Sequence, residues 1–225
     1  MRIPYIAALL VVSALLFAGC TTTEQSADTD PEVVAPTSAP STPSSSSSPS
    51  PSATAPASLQ FSLDAVTYTD ESGDRVLPYS DAAPILELLA ELSGSTTEPQ
   101  PVEGPYGGEW PGLSAYEWNE LGLTVFEQGI GDVTVRSASF SGVTMSTDLG
   151  VSVGSTRESV DALADGDGYD IDGDGINDAL FFQHREVPGT TSLVDGGVGS
   201  IFMVAELDGD VVVELVVPGN DYSDI

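Results

Sequence analysis

The sequence predicts an α+β fold in which one or two helices pack on one face of an antiparallel sheet. Three observations support this prediction: strand-like apolar alternation dominates residues 59–225, two segments have helical periodicity, and each helical segment is followed by a run of strands joined by short turns. The element order is strands, helix, three strands, helix and three strands. Because a helix followed by a meander occurs twice, the single domain is also compatible with a tandem repeat whose halves are residues 59–145 and 146–225.

The first part of this domain predicts two extended segments and then a helix. FSLDAVTYT alternates as a strand does, ESGD forms a turn, and RVLPY is extended again. Apolar side chains then repeat at helical spacing at Ile85, Leu88, Leu89 and Leu92. Asp81 is suited to cap this helix, Pro84 fits its first turn, and Gly94 is suited to end it.

The remainder predicts a meander, a short helix and a second set of strands. SAYEW, LGLTVFEQ and DVTVRSASF form the meander. In VSVGSTRESVDALAD, Ser155 and Glu158 have capping-box spacing, and an apolar face follows at Val160, Leu163 and Ala164. ALFFQHREV predicts a strand, and SIFMVAEL and VVVELVV predict a hairpin with Asp208 and Gly209 at its turn.

An aspartate-rich segment, YDIDGDGIND, interrupts these elements and predicts a calcium loop. Calcium loops place oxygen ligands at alternate positions, a glycine at the sixth and a backbone carbonyl at the seventh. The predicted ligands are the carboxylates of Asp170, Asp172, Asp174 and Asp178 and the carbonyl of Ile176. Gly175 occupies the sixth position.

This loop departs from the EF-hand pattern at its twelfth position. Phe181 stands where an EF-hand has a bidentate glutamate, and the segment that follows predicts a strand. The missing ligand predicts weak binding, with a dissociation constant of about 10⁻⁴ to 10⁻³ M. Asp165 or Asp167 could complete the shell. An acidic turn that needs no ion is the open alternative.

The N-terminus, MRIPYIAALLVVSALLFAGC, predicts export. Arg2 gives a short positive region, an apolar run extends from Ile6 to Phe17, and two small residues precede Cys20. This segment resembles a bacterial lipoprotein signal, which implies removal of residues 1–19 and a diacylglyceryl group on Cys20. Phe17 replaces the leucine that is usual three residues before the cysteine. The open alternatives are an ordinary signal peptide cleaved after Ala18 or Gly19, and an uncleaved anchor helix.

Residues 20–58 predict a disordered tether between the lipidated cysteine and the domain. The segment STPSSSSSPSPSATAPAS has no large apolar residue, so it cannot bury enough surface to offset the entropy of ordering. Extended at about 3.1 Å per residue, the tether would reach on the order of 100 Å. The domain would therefore lie outside the cell, held at the membrane by lipid.

The composition excludes several classes of partner and activity. The formal net charge is −30 and the sequence has no lysine, so nucleic acid and anionic lipid headgroups would be repelled. The sequence has no nucleophile elbow, phosphate loop, zinc spacing or dinucleotide fingerprint. His184 is expected to be an ordinary strand residue. The aromatic side chains of Trp110, Tyr116 and Trp118 predict core packing, with a sugar platform as the alternative.

Two resemblances add to this interpretation. The motif VSVGSTRESVDAL and the run YEWNELGLTVFE resemble segments of the tandem αβ-repeat β-lactamase-inhibitor-protein family. The whole chain, including its ending VPGNDYSDI, resembles lipoproteins of high-GC Gram-positive (actinobacterial) cells. The first resemblance implies at most a protein-binding sheet, and the second implies an exported lipoprotein.

These observations predict a lipid-anchored extracytoplasmic binding or accessory domain rather than an enzyme. We expect a monomer, held at the membrane by its lipid, that binds an envelope protein or a cell-wall component. A cell-wall-acting hydrolase and a solute-binding lipoprotein are the alternatives. Only calcium is expected as a cofactor.

Overall fold

The computed structural model describes residues 56–104, 108–127, 129–166 and 168–222. The predicted signal peptide, Cys20 and most of the predicted tether lie outside the described residues, as does Asp167. Twelve strands and two helices make up the described part, which confirms the α+β prediction. Within the described ranges, no helix is both long enough and apolar enough to cross a membrane.

The first sheet has five strands. Its strands are β1 (Ser58–Phe61), β2 (Ala65–Asp70), β3 (Gly73–Pro78), β8 (Ser139–Phe140) and β9 (Val143–Thr147), in the order β3-β2-β1-β9-β8. FSLDAVTYT, predicted as one strand, instead spans the turn between β1 and β2. Ser62 closes this turn, because its N–H donates to the Ala65 carbonyl at 3.0 Å and its Oγ accepts from the Ala65 N–H at 3.1 Å. β1 also pairs in parallel with β9, so this sheet is mixed.

The second sheet has seven antiparallel strands. Its strands are β4 (Gln100–Glu103), β5 (Glu109–Glu117), β6 (Leu121–Phe126), β7 (Gly129–Val135), β10 (Ala179–Glu186), β11 (Ser200–Asp208) and β12 (Val211–Asn220), in the order β10-β11-β12-β7-β6-β5-β4. The predicted meander is present as β5–β7, and the predicted hairpin as β11–β12. The hairpin turn lies one residue later than predicted, at Gly209 and Asp210. Pairing of β7 with β12 joins the two strand sets.

Helix α1 (Ala82–Ser93) forms as the sequence predicts. The Asp81 carboxylate accepts from the Ala83 N–H at 3.2 Å, and Gly94 ends the helix with a φ of 69°. A cap of this kind contributes about 1 kcal/mol to stability. The apolar face of the helix is buried in the core.

Helix α2 (Arg157–Asp161) is a single turn, and the predicted capping box is wrong. Thr156 is the residue before the helix, and the Oγ of Ser155 instead accepts from the Ser152 N–H at 3.0 Å. The reason is a contact made outside the helix. The Arg157 N–H donates to the Asp210 carbonyl at 2.8 Å, which holds the entering chain against the β11–β12 turn.

Both sheets and α1 contribute to one hydrophobic core. Phe61, Phe140 and Phe182 are among its largest fully buried side chains. Along β11, alternate residues from Ile201 to Leu207 are buried, so the intervening side chains project from the opposite face of the sheet. This opposite face is called the outer face below.

Candidate functional site

A groove crosses the outer face of β10, β11 and β12. Its volume is about 910 Å³, and its lining is mainly apolar. Residues that line it include Phe181, His184, Phe202, Val204, Glu206 and Val216. Loop residues border it on two sides, and their apolar side chains are unusually exposed: the exposed fraction is 72% for Ile171, 69% for Leu193 and 76% for Val194. A groove with exposed apolar borders is typical of a binding surface.

Aromatic rings form part of the groove. The ring centroids of Phe181 and Phe202 are 4.9 Å apart, and the His184 ring lies 4.9 Å from that of Phe202. Tyr169 meets Phe181 edge to face at 5.3 Å. Such pairs hold one another in place, so the groove presents a largely preformed apolar surface.

A bulge in β10 explains why His184 joins this group. Regular alternation would place His184 and Phe181 on opposite faces, because they are three residues apart. Gln183 adopts a left-handed backbone with a φ of 59°, and the pairing register with β11 shifts between Phe182 and Arg185. A left-handed conformation is unfavourable for glutamine, and bulges often redirect side chains beside functional sites. Here the bulge turns the imidazole toward the groove.

Asp165 holds the bulge in place. Its Oδ2 accepts from the His184 N–H at 3.0 Å, and its Oδ1 lies 2.5 Å from His184 Nδ1. A Cβ on Gly166 would lie 2.4 Å from the imidazole Cε1, so the chain can pass this closely only as glycine. Both oxygens of Asp165 therefore engage His184, and the prediction of this carboxylate as a further calcium ligand gains no support.

The aspartate loop, residues 170–178, is closed at its base by backbone hydrogen bonds. The Tyr169 carbonyl accepts from the Asp178 N–H at 2.6 Å, and the Tyr169 N–H donates to the Ala179 carbonyl at 2.9 Å. Near the C-terminal end of the loop, Arg157 Nη1 donates to the Asn177 carbonyl at 2.7 Å. These contacts fix both ends of the loop to the sheet, beside the groove.

Three carboxylates come together inside this loop. One oxygen each from Asp170, Asp172 and Asp174 lie within 4.8 Å of one another, and all three residues are exposed. Three such carboxylates could hold an ion. Asp178 is not in this group: its Oδ2 accepts from the backbone N–H groups of Ile171 and Asp172, at 2.8 and 3.3 Å.

Backbone hydrogen bonds shape the loop around these carboxylates. Asp170 accepts from the N–H groups of Gly173 and Gly175, at 2.6 and 2.8 Å. Asp174 Oδ1 accepts from the Ile176 N–H at 2.7 Å. The carboxylates are therefore held near one another by the chain itself.

A second loop borders the groove from the opposite end. Ser192 is buried, and its Oγ accepts from the Val194 N–H at 3.2 Å. The Leu193 N–H donates to the Asp221 carbonyl at 2.7 Å, which ties the loop to the end of β12. Hydrogen bonds from the Gly197 backbone and then from Ser192 lower the pKa of Asp195, so this carboxylate stays charged.

A row of acidic side chains continues from the groove across the sheet. Glu206 and Glu214 are directly opposite each other on β11 and β12. Arg136 bridges Glu214 and Glu117, with Nε 3.2 Å from the first and Nη1 2.8 Å from the second. Burial, and then the charge of Glu214, raise the pKa of Glu206. The outer face therefore carries more carboxylates than cations.

The predicted sugar-platform aromatics lie elsewhere. Trp118 is partly buried and meets Phe140 edge to face at 5.9 Å, and Tyr116 also packs against the core. Trp110 is on the surface, with an exposed fraction of 37%. These positions agree with the core prediction for Tyr116 and Trp118, and none of the three lines the groove.

Sequence reasoning did not find the groove. One feature of the sequence could have indicated the groove. Phe181 and Phe202 occupy strand positions whose neighbours, Phe182 and Met203, form the core. Large aromatics on both faces of a strand indicate that the second face also has a packing partner or a ligand.

Comparison of the chain with protein-family models, with curated proteins and with solved structures found no match.

Proposed function

We propose that this protein is a lipid-anchored extracytoplasmic binding domain, and that the groove on the outer face of β10–β12 is where it binds a protein or cell-wall partner. The observation that carries the proposal is the groove itself. Phe181 and Phe202 lie within it, and strongly exposed apolar side chains border it at both ends. Exposing these groups to water is unfavourable, and a bound partner would remove that cost.

The N-terminal sequence supports the extracytoplasmic part of the proposal. Acylation of Cys20 would anchor the chain, and the Ser/Pro-rich tether would let the domain reach partners away from the membrane. The two acyl chains would bury many methylenes at about 0.8 kcal/mol each, which gives stable anchorage.

The aspartate loop is proposed to bind calcium. Asp170, Asp172 and Asp174 supply clustered carboxylate oxygens, and the Ile176 carbonyl and Asp178 complete the proposed ligand set. Calcium accepts six to eight oxygen ligands in flexible geometry, so water would fill the remaining positions. The ion would offset repulsion among the carboxylates and stiffen the border of the groove that carries Tyr169 and Ile171.

Site-specific photo-cross-linking in intact cells tests the groove. A photoreactive residue replaces Leu193 at the groove border, or Val76 on β3 of the other sheet as a matched exposed control; these side chains are 69% and 64% exposed. We expect a discrete adduct from position 193, its loss when Phe202→Ser is added, and no such adduct from position 76. Identical adducts from both positions, or none from 193, would refute binding at the groove.

A further inference from the structure

Among the acidic residues that line the groove, Asp195 and Asp221 accept backbone hydrogen bonds, whereas in the described part of the chain Glu206 has neither a cation nor a hydrogen-bond donor. Glu206 lines the groove with Phe202 and Val204. In the described part of the chain, every ion pair involves other acidic residues, and Glu206 accepts no hydrogen bond. A partly buried, unpaired carboxylate in an apolar groove is unfavourable unless something outside the chain pairs with it.

The neighbouring charges increase this imbalance. Like charges directly opposite each other on adjacent strands are destabilising, and Glu214 stands directly opposite Glu206. Arg136 contacts Glu214, but the same guanidinium also serves Glu117. Arg136 therefore pairs with two of these three carboxylates, and among the described residues Glu206 has no ion pair.

These charges discriminate among possible occupants. A neutral lipid would cover the apolar side chains but would desolvate Glu206 further without pairing it. A second copy of the chain would bring another net charge of −30 to a face that is already acidic. A cationic segment would pair with Glu206, and the field of the whole chain would attract it.

The arrangement of the groove sets the spacing that such a segment needs. Phe202 and Glu206 are on the same face of β11, four residues apart, which corresponds to about 13 Å at roughly 3.3 Å per residue. Val204 lies between them. An extended segment above this face would place side chains of its own at the same intervals.

We infer that the groove binds an extended segment of another protein that has an arginine or lysine four positions from an aromatic residue, with the cation on Glu206 and the aromatic side chain against Phe202. This inference rests on the proposed binding function of the groove. The Glu206 contact gives specificity for charge, and the apolar floor and borders provide burial.

Calorimetric titration of the full-length chain with three blocked peptides tests the inference. The probe T-R-T-V-T-W-T has the required spacing, and T-Q-T-V-T-W-T and T-E-T-V-T-W-T differ from it only at the charged position. We expect the arginine peptide to bind about tenfold more tightly than the glutamine peptide, and the glutamate peptide more weakly still. Added salt should reduce the arginine preference.

Variants locate the effect. Glu206→Gln should abolish the arginine preference, and Glu206→Lys should reverse it in favour of the glutamate peptide. Glu71→Gln, in the exposed β2–β3 turn, is the matched control and should leave the preference unchanged. The border variant Leu193→Ser should weaken the binding of all three peptides equally, because it removes an apolar contact and leaves the charge on Glu206 unchanged. The variant should still fold, since Leu193 is 69% exposed.

The outcomes separate this inference from the proposed function. If all three peptides bind equally and Leu193→Ser weakens them, the groove binds apolar segments and the inferred charge selectivity is wrong. If no peptide binds, the inferred partner is wrong, while cross-linking from position 193 still decides whether the groove is used. Concentration-dependent dimerisation that Leu193→Ser abolishes would identify a second copy as the occupant and overturn the inference.

Discussion

Calcium should stabilise this protein measurably, and the loop geometry indicates by how much. Asp170, Asp172 and Asp174 bring three negative charges to oxygens within 4.8 Å of one another. Without a bidentate glutamate at the end of the loop, the dissociation constant should be about 10⁻⁴ to 10⁻³ M. Calcium at about 10 mM would then add about 1.4 to 2.7 kcal/mol to the free energy of unfolding. For a domain of this size the midpoint of thermal unfolding should rise by about 3 to 10 °C.

Asp172→Asn combined with Asp174→Asn is the most informative perturbation. Each carboxylate accepts a backbone N–H through one oxygen, at 3.0 and 2.7 Å, and an asparagine amide oxygen can accept the same bond. The loop should therefore keep its shape while losing two of the three charges. Without calcium the variant should be at least as stable as the wild type, because repulsion has decreased, and with calcium its midpoint should not move.

Differential scanning calorimetry gives the answer when the salt is controlled. Sodium chloride at matched ionic strength corrects for screening of the net charge, and magnesium should give a smaller shift because it requires stricter octahedral geometry. Asp161→Asn with Glu158→Gln removes two exposed charges on α2 and should retain the calcium shift. A wild type that does not respond to calcium, or a loop variant that responds as strongly as the wild type, would refute the calcium site.

Three further outcomes are expected. Phe182→Ala removes a fully buried ring, so it should lower the free energy of unfolding, measured by urea denaturation, by about 3 to 5 kcal/mol. Val213→Ala, at a position that is 43% exposed, should change this free energy by less than about 1 kcal/mol. A loss below about 1 kcal/mol for Phe182→Ala would contradict the core assignment. Burial raises the pKa of Asp132, so this group makes folding less favourable as pH rises above about 4 and through the raised pKa. Asp132→Asn should therefore gain stability relative to the wild type across that range in urea titrations at several pH values, and a constant difference would count against the assignment. Cys20→Ser should abolish incorporation of labelled palmitate and release the chain from membranes, and unchanged fractionation would rule out the lipid anchor.

Elements set by neighbouring residues could be predicted from the sequence. The first helix has its cap, its apolar repeat and its terminating glycine within fourteen residues, from Asp81 to Gly94, and it forms over those residues. The β11–β12 hairpin is similar, because the strands flank a two-residue turn that contains Gly209. In the aspartate loop, the alternate spacing brings Asp170, Asp172 and Asp174 together as predicted.

Prediction failed where a distant contact overrode the local pattern. The Ser155–Glu158 spacing suggested a capping box, but hydrogen bonds that link residues 155–157 to the β11–β12 turn and to the start of β12 position that segment instead. The strand predicted from Phe61 onward reverses at Ser62, since β1 pairs both with β2 and with β9, more than eighty residues away. Periodicity within one segment has no information about such partners.

The sequence alone determined the helix, the meander, the hairpin and the aspartate loop, because each depends on spacing within a few residues. It also determined the net charge of −30. Only the tertiary structure decided that Phe181, His184 and Phe202 share one groove with Glu206. That arrangement depends on the bulge at Gln183, on the register of β10 against β11, and on two loops that return to the same face. Alternation assigns a side chain to one face of a strand, but the pairing of distant strands decides which side chains meet there.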